Sequence, residues 1–250
     1  MFRVEHRDGV SVLRMDDGKV NVMGPTYVRE FGPAWRDATQ GDRPVVLVGN
    51  ARAFSAGLDL KTLPTLEKEE LVAFTHGFMG VFRDVLQYPR PVVAVVDGPA
   101  LAGGAVLALV SDIRLATPAA RIGLTEVPVG IPLPPPIADL ARAKLPTQEL
   151  AEALLDGAVR EGARCVEHGW AQRLADRDAA PSEAVGIAAA LGGHNPLAFS
   201  SAKSAITTAP LAAFDRFLRD GGPEAWVSDL AHPDTMAALL RTMERLSRKA

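Results

Sequence analysis

Two unbroken apolar runs, Val45-Val46-Leu47-Val48 and Val92-Val93-Ala94-Val95-Val96, each lead into a stretch of small residues, and this pairing limits what the chain can fold into. Continuous runs rich in β-branched residues, with no polar alternation, are the pattern of parallel strands covered by helices on both faces. The stretches that follow are Ala53-Phe54-Ser55-Ala56-Gly57-Leu58-Asp59-Leu60 and Gly98-Pro99-Ala100-Leu101-Ala102-Gly103-Gly104-Ala105-Val106. Small residues let the backbone approach a ligand closely, and a helix opening at Gly103 would aim its positive dipole end at the same spot. Two backbone N–H groups converging on one oxygen make an oxyanion hole. Losing one such donor typically costs about 2.7–4 kcal/mol of transition-state stabilisation.

Between the two runs, residues 66–87 carry Leu71, Phe74, Phe78, Val81, Phe82, Val85 and Leu86 at helical spacing, and Pro89 and Pro91 stop that helix. Strand, turn, amphipathic helix and strand make a βαβ unit. Residues 113–116 and 120–122 read as further short strands, so the sheet is expected to be mostly parallel. Residues 1–15 alternate apolar and charged positions around Asp8-Gly9, which predicts a β-hairpin and not a signal peptide. From about Thr147 helical spacing takes over, with no further strand expected. Asn195-Pro196 and Ala209-Pro210 each predict a helix start, and Gly221-Gly222-Pro223 and His232-Pro233 mark breaks. Pro132-Leu133-Pro134-Pro135-Pro136 reads as a rigid loop leading into a helix from Ile137.

The 250 residues, 48% hydrophobic, suffice for a large core. A net charge of −3 with scattered Lys and Arg gives no general attraction to nucleic acid. Residues 92–110 are apolar, but Asp97, Pro99 and glycines 98, 103 and 104 break them up, so a buried strand-turn-helix is expected and not a membrane span. The single Cys165 can form no internal disulfide, which fits a reducing, cytoplasmic setting. The five histidines are scattered and offer no metal cluster. Gly98 with Gly103-Gly104 lacks the G-x-G-x-x-G spacing of a dinucleotide fold.

Three motifs in register resemble the enoyl-CoA hydratase/isomerase family, also called the crotonase superfamily. Residues 53–60 resemble its A-F-x-A-G-x-D-[LI] turn. Residues 97–112 resemble its N-G-x-A-x-G-G-G-x-x-L-A-x-x-x-D segment, and Ile122-Gly-Leu-Thr-Glu126-Val-Pro-Val-Gly130 its F-x-x-P-E-x-x-x-G loop. The resemblance implies an α/β fold, a crotonase-like spiral of ββα units over residues 1–194. A helical region, 195–250, would serve oligomerisation as a homotrimer or a hexamer built as a dimer of trimers. It also implies that the backbone N–H groups of Leu58 and Gly103 hold the thioester oxygen of an acyl-CoA. No cofactor is expected beyond the coenzyme A of the substrate. That moiety would lie along Lys19, Val20 and Val22 of the 15–23 turn and beside Ala56, Asp59, Leu60 and Lys61, with Lys61 near the phosphates. Asp59 and Asp112 also read as structural, capping turns or pairing with nearby arginines.

Hydratases of the family use two glutamates, and this chain matches only the second, Glu126. Val106 stands at the first position, and Ala102 replaces the first glycine of G-G-G. Valine cannot orient a water or move a proton, and a positioned acid or base contributes ~10²–10⁴ in rate. Family members of the Δ3,Δ2-enoyl-CoA isomerase type show the same arrangement, with Glu126 as sole acid/base. The resemblance therefore implies double-bond isomerisation in fatty-acid breakdown, in a pocket of Val106, Val127 and Ile131 that raises the Glu126 pKa by desolvation. Hydration with a displaced second acid, another enolate reaction such as thioester hydrolysis or decarboxylation, and acyl-CoA binding without chemistry are the alternatives. His76 lies on the helix bordering the acyl pocket in relatives and reads as packed or solvated.

Overall fold

The computed structural model describes residues 1–247. The hairpin strands β1 (Phe2–Arg7) and β2 (Val10–Met15) pair antiparallel. A two-residue strand β3 (Val22–Met23) and helix α1 (Pro25–Thr39) follow, leading to β4 (Val45–Val48) and β5 (Gly57–Leu58). Helix α2 (Lys68–Gln87) ends ahead of the two prolines and returns the chain to β6 (Val92–Val96). Then come β7 (Pro99–Leu101), α3 (Gly103–Val110), β8 (Ile113–Ala116), β9 (Arg121–Gly123), α4 (Glu126–Val129) and α5 (Pro135–Lys144). The remainder comprises β10 (Arg160–Glu161), α6 (Arg164–Glu167), β11 (Arg173–Leu174), α7 (Ala180–Gly192), α8 (Pro196–Arg219), α9 (Gly222–Leu230) and α10 (Pro233–Ser247).

The main sheet runs β1-β2-β4-β6-β8-β11, and every pairing after the first is parallel. Its two faces carry separate cores, as the continuous apolar strands require. One face packs Leu13, Val45, Leu47, Val92, Ala94 and Val96 against the aromatic residues of α1 and α2. The other sets Val46, Val48, Val93 and Val95 against Ala180, Ala184 and Ala188 of α7. Two smaller sheets, β10-β9-β7 and β3-β5, stand beyond the strand ends, where the small-residue stretches emerge.

Two expectations from the sequence are corrected. β10 and β11 do lie in the C-terminal third, each only two residues long, too short for a side-chain period to announce them. No helix starts at Pro210, because α8 runs through it. Thr207, Pro210, Ala213, Phe214 and Phe217 form one buried stripe on that helix, and this packing outweighs the backbone hydrogen bond that proline removes. The Asn195 start is as expected: its side chain accepts from the Leu197 and Ala198 N–H groups. The proline-rich run enters α5 at Pro135, two residues before Ile137. No described helix is long and apolar enough to cross a membrane.

Candidate active site

The two small-residue stretches meet edge to edge. Ser55 and Ala100 form a parallel bridge, the Ser55 N–H donating to the Pro99 carbonyl at 3.0 Å and the Leu101 N–H to the Ser55 carbonyl at 3.0 Å. Glycine is required at this junction. A Cβ on Gly104 would penetrate the Ser55 carbonyl oxygen, and one on Gly57, at φ +81, would come within 2.6 Å of the Leu101 carbonyl and 3.0 Å of the Gly103 nitrogen. The Gly57–Leu58 backbone therefore lies directly against the start of α3. Gly103 is the first residue of that helix, so its N–H has no partner four residues back and can serve a ligand.

Asn21 holds the first stretch in place. It is fully buried with φ +54, and its amide donates to the carbonyls of Met15, Ala53 and Phe54 at 3.0, 3.1 and 3.1 Å. The Ser55 hydroxyl donates to the Asn21 carbonyl at 2.7 Å, and the Ala56 N–H to the Val20 carbonyl at 2.9 Å. The turn carrying Lys19, Val20 and Val22 is thereby fixed beside Ala56. Lys19 and Lys61 are exposed, and Leu60 faces an apolar cavity. The Asp59 carboxylate accepts from the N–H groups of Lys61 and Thr62 and from the Thr62 hydroxyl, so it caps its own turn.

Glu126 opens α4, which follows β9 of the sheet that contains β7. Gly130, at φ +80, closes this short helix, and the Ile131 N–H returns to the Glu126 carbonyl at 2.9 Å. A Cβ on Gly130 would overlap Ala238, so α10 is seated on the turn that holds the carboxylate. Glu126 is only 4% exposed, and its Oε2 is buried without a hydrogen-bond partner. Burial pushes its carboxyl up to about 7, where it can exchange a proton at neutral pH.

An apolar cavity of about 340 Å³ adjoins these parts, with Leu58 of the first stretch and Ile131 beyond α4 among its lining residues. Its walls come from Leu60, Leu63, Leu66 and Leu71, and from Trp226, Leu230, Met236 and Leu239 of α9 and α10. Lys68 is the single charged residue among the described residues lining it. Trp226 Nε1–H donates to the Pro132 carbonyl at 2.7 Å, pinning the proline-rich loop to α9.

Of the residues expected around Glu126, Ile131 lies on the cavity and Val106 is fully buried in the main core. Val127 is 47% exposed and faces the groove between α4 and α10, with Arg241 and Arg245. His76 is half exposed, with Nε2 4.0 Å from Glu224 of α9. Asp112 accepts from Lys203 at 2.8 Å, not from an arginine, and from the Val92 N–H. Sequence reasoning missed Asn21 as the clamp of the first stretch and α9 and α10 as cavity wall. Helical spacing alone does not separate a ligand wall from core.

The model of the enoyl-CoA hydratase/isomerase family matches residues 5–213. A Thermus thermophilus protein, provisionally named an enoyl-CoA hydratase, is 32% identical over 92% of both chains. The crystal structure of an enoyl-CoA hydratase from Mycobacterium ulcerans superposes with a TM-score of 0.85 at 30% identity, covering 90% of this chain and 98% of that one. Human mitochondrial Δ3-Δ2-enoyl-CoA isomerase shares the fold with a TM-score of 0.93 at 22% identity, covering 99% of this chain and 98% of the human one.

Proposed function

The chain belongs to the enoyl-CoA hydratase/isomerase family of enzymes, and from that premise we propose that it moves the double bond of a 3-enoyl-CoA into conjugation with its thioester. The observation that carries this reading is Glu126, a buried carboxylate with an unpartnered oxygen and a pKa raised to about 7, in a chain with Val106 at the other acid position. The Glu126 carboxylate takes a proton from C2. The electron pair moves onto the thioester oxygen, giving a dienolate held by the Leu58 and Gly103 N–H groups. As the electrons return, the C2–C3 double bond forms and the protonated Glu126 delivers its proton to C4, restoring the carboxylate. Nothing is oxidised or reduced. Coenzyme A enters as part of the substrate, its adenine end along Lys19–Val22 and its phosphates near Lys61.

The apolar cavity supports a hydrocarbon acyl chain as the other end of the substrate, which fits a place in fatty-acid breakdown. Hydration is the second reading, favoured by the hydratase names of the relatives. It requires a second acid beside Glu126, and the position that carries it in two-glutamate hydratases is Val106, buried in the core. Assembly into a homotrimer or a dimer of trimers is part of the family reading, and light scattering would measure it. Turnover of 3-hexenoyl-CoA and of crotonyl-CoA by the wild type and Glu126→Gln tests the reaction. Isomerisation by the wild type, lost in the variant, is expected; full activity in Glu126→Gln overturns the reading.

A further inference from the structure

Four described residues other than glycine have a positive φ: Asp8, Asn21, Asp42 and Ala102. Three of them are Asp or Asn, whose short polar side chains ease that conformation. Ala102 has no such help. Its φ of 49° and ψ of −120° lie in a region that glycine enters freely and a Cβ makes costly. Such strain survives only where the surroundings impose it, and here the surroundings are the two halves of the site.

Each part of Ala102 is engaged. Its N–H donates to the Gly123 carbonyl at 2.9 Å, tying it to β9, the strand that leads into Glu126. Its carbonyl accepts from the Val106 N–H at 3.0 Å and so starts α3. Its methyl lies where a Cβ on Gly57 would be only 3.0 Å away, so it fills the space between the two small-residue stretches. The peptide joining Ala102 to Gly103 carries the Gly103 N–H, and the ψ of Ala102 sets the direction in which that N–H points. With a glycine here, the Val106 hydrogen bond alone would hold that peptide, without the steric restriction the methyl adds.

We propose that Ala102 is a positioning residue: its methyl, wedged against Gly57, and its strained backbone hold the Gly103 N–H aimed at the thioester oxygen and in register with Glu126. The proposal rests on the oxyanion hole assigned above, and goes beyond it by explaining what keeps that donor in place before substrate arrives.

The test compares the wild type with Ala102→Gly and Ala102→Ser, which keeps the Cβ. Three quantities are measured: melting temperature, kcat and KM for 3-hexenoyl-CoA, and the red shift of bound 2,4-hexadienoyl-CoA, which reports carbonyl polarisation without turnover. Ala102→Gly should melt at or above the wild-type temperature, because strain is relieved. It should show a smaller red shift and a kcat lower by about fivefold or more, with KM within about twofold. Ala102→Ser should keep the wild-type red shift and kcat. An unchanged shift and kcat in Ala102→Gly overturn the proposal, as does a loss of activity that merely follows a lower melting temperature. A wild type that gives the red shift yet does not isomerise 3-hexenoyl-CoA refutes the reaction but not Ala102, which the shift then judges alone. A wild type that binds the dienoyl thioester with no shift removes the oxyanion hole and the proposal together.

Discussion

The indole N–H of Trp226 donates to the main-chain carbonyl of Pro132 at 2.7 Å, joining α9 to the loop that follows the Glu126 helix. The same indole lines the apolar cavity, so one side chain both shapes that space and fixes the loop after α4. Trp226→Phe keeps an aromatic wall but leaves the Pro132 carbonyl without this donor. A loss of about 1–3 kcal/mol is expected in urea unfolding, from a part-buried acceptor left unsatisfied. KM for 3-enoyl thioesters should rise more than kcat falls.

Glu126 makes stability depend on pH in a defined direction. Its carboxyl titrates at about 7 in the folded protein against 4.5 ordinarily, so between those values the native state holds a proton that the unfolded chain has released. Stability therefore falls as pH rises through this window and stays lower above it. Unfolding measured at pH 4 and pH 8 should show the wild type losing about 3 kcal/mol relative to Glu126→Gln. The base acts ionised, so kcat/KM for isomerisation should climb with pH, reach half its plateau near 7, and drop by ~10²–10⁴ in the variant.

Leu239 of α10 lines the same cavity as Leu58 and Ile131. Leu239→Trp fills part of the space, so kcat/KM for 3-dodecenoyl-CoA should fall by about tenfold while that for 3-hexenoyl-CoA stays within about twofold, each acyl methylene denied burial costing ~0.8 kcal/mol. Equal losses on both substrates would place the chain elsewhere.

Gly104 and Gly80 make opposite predictions for the same change. A Cβ on Gly104 meets the Ser55 backbone, which cannot move without parting the two small-residue stretches. Gly104→Ala should thus destabilise by about 1–3 kcal/mol and abolish turnover. A Cβ on Gly80, inside α2, has nothing within 4 Å, so Gly80→Ala should stabilise by about 0.4–1 kcal/mol through helix propensity and a less disordered unfolded chain. Thermal unfolding of both variants checks the pair.

Most of the frame was legible because strong periodicities produced it. The apolar runs at 45–48 and 92–96 became central strands, the 66–87 pattern became α2, and Gly103 did open a helix. What escaped obeys forces that leave no local pattern. β10 and β11 are two-residue pairings with distant strands, β10 also tied by the Arg160–Glu149 and Glu161–Arg121 ion pairs, and α8 continues past Pro210 because a buried stripe outweighs one missing hydrogen bond. At the site, the motif residues were readable since glycine and glutamate at fixed spacing carry chemistry of their own. The cavity wall was not, because Trp226 and Leu239 share a cavity with Leu58 although most of the chain separates them in sequence.

That separation makes the proposed chemistry depend on the last described helices. Without α9 and α10, Leu58 and Ile131 would lose Trp226 and Leu239 from the cavity they line together. Hydrated through the opened wall, the carboxyl would return toward an ordinary surface acid, too weak a base to draw a proton from carbon. The proposed base would then owe its strength to helices about a hundred residues further along the chain.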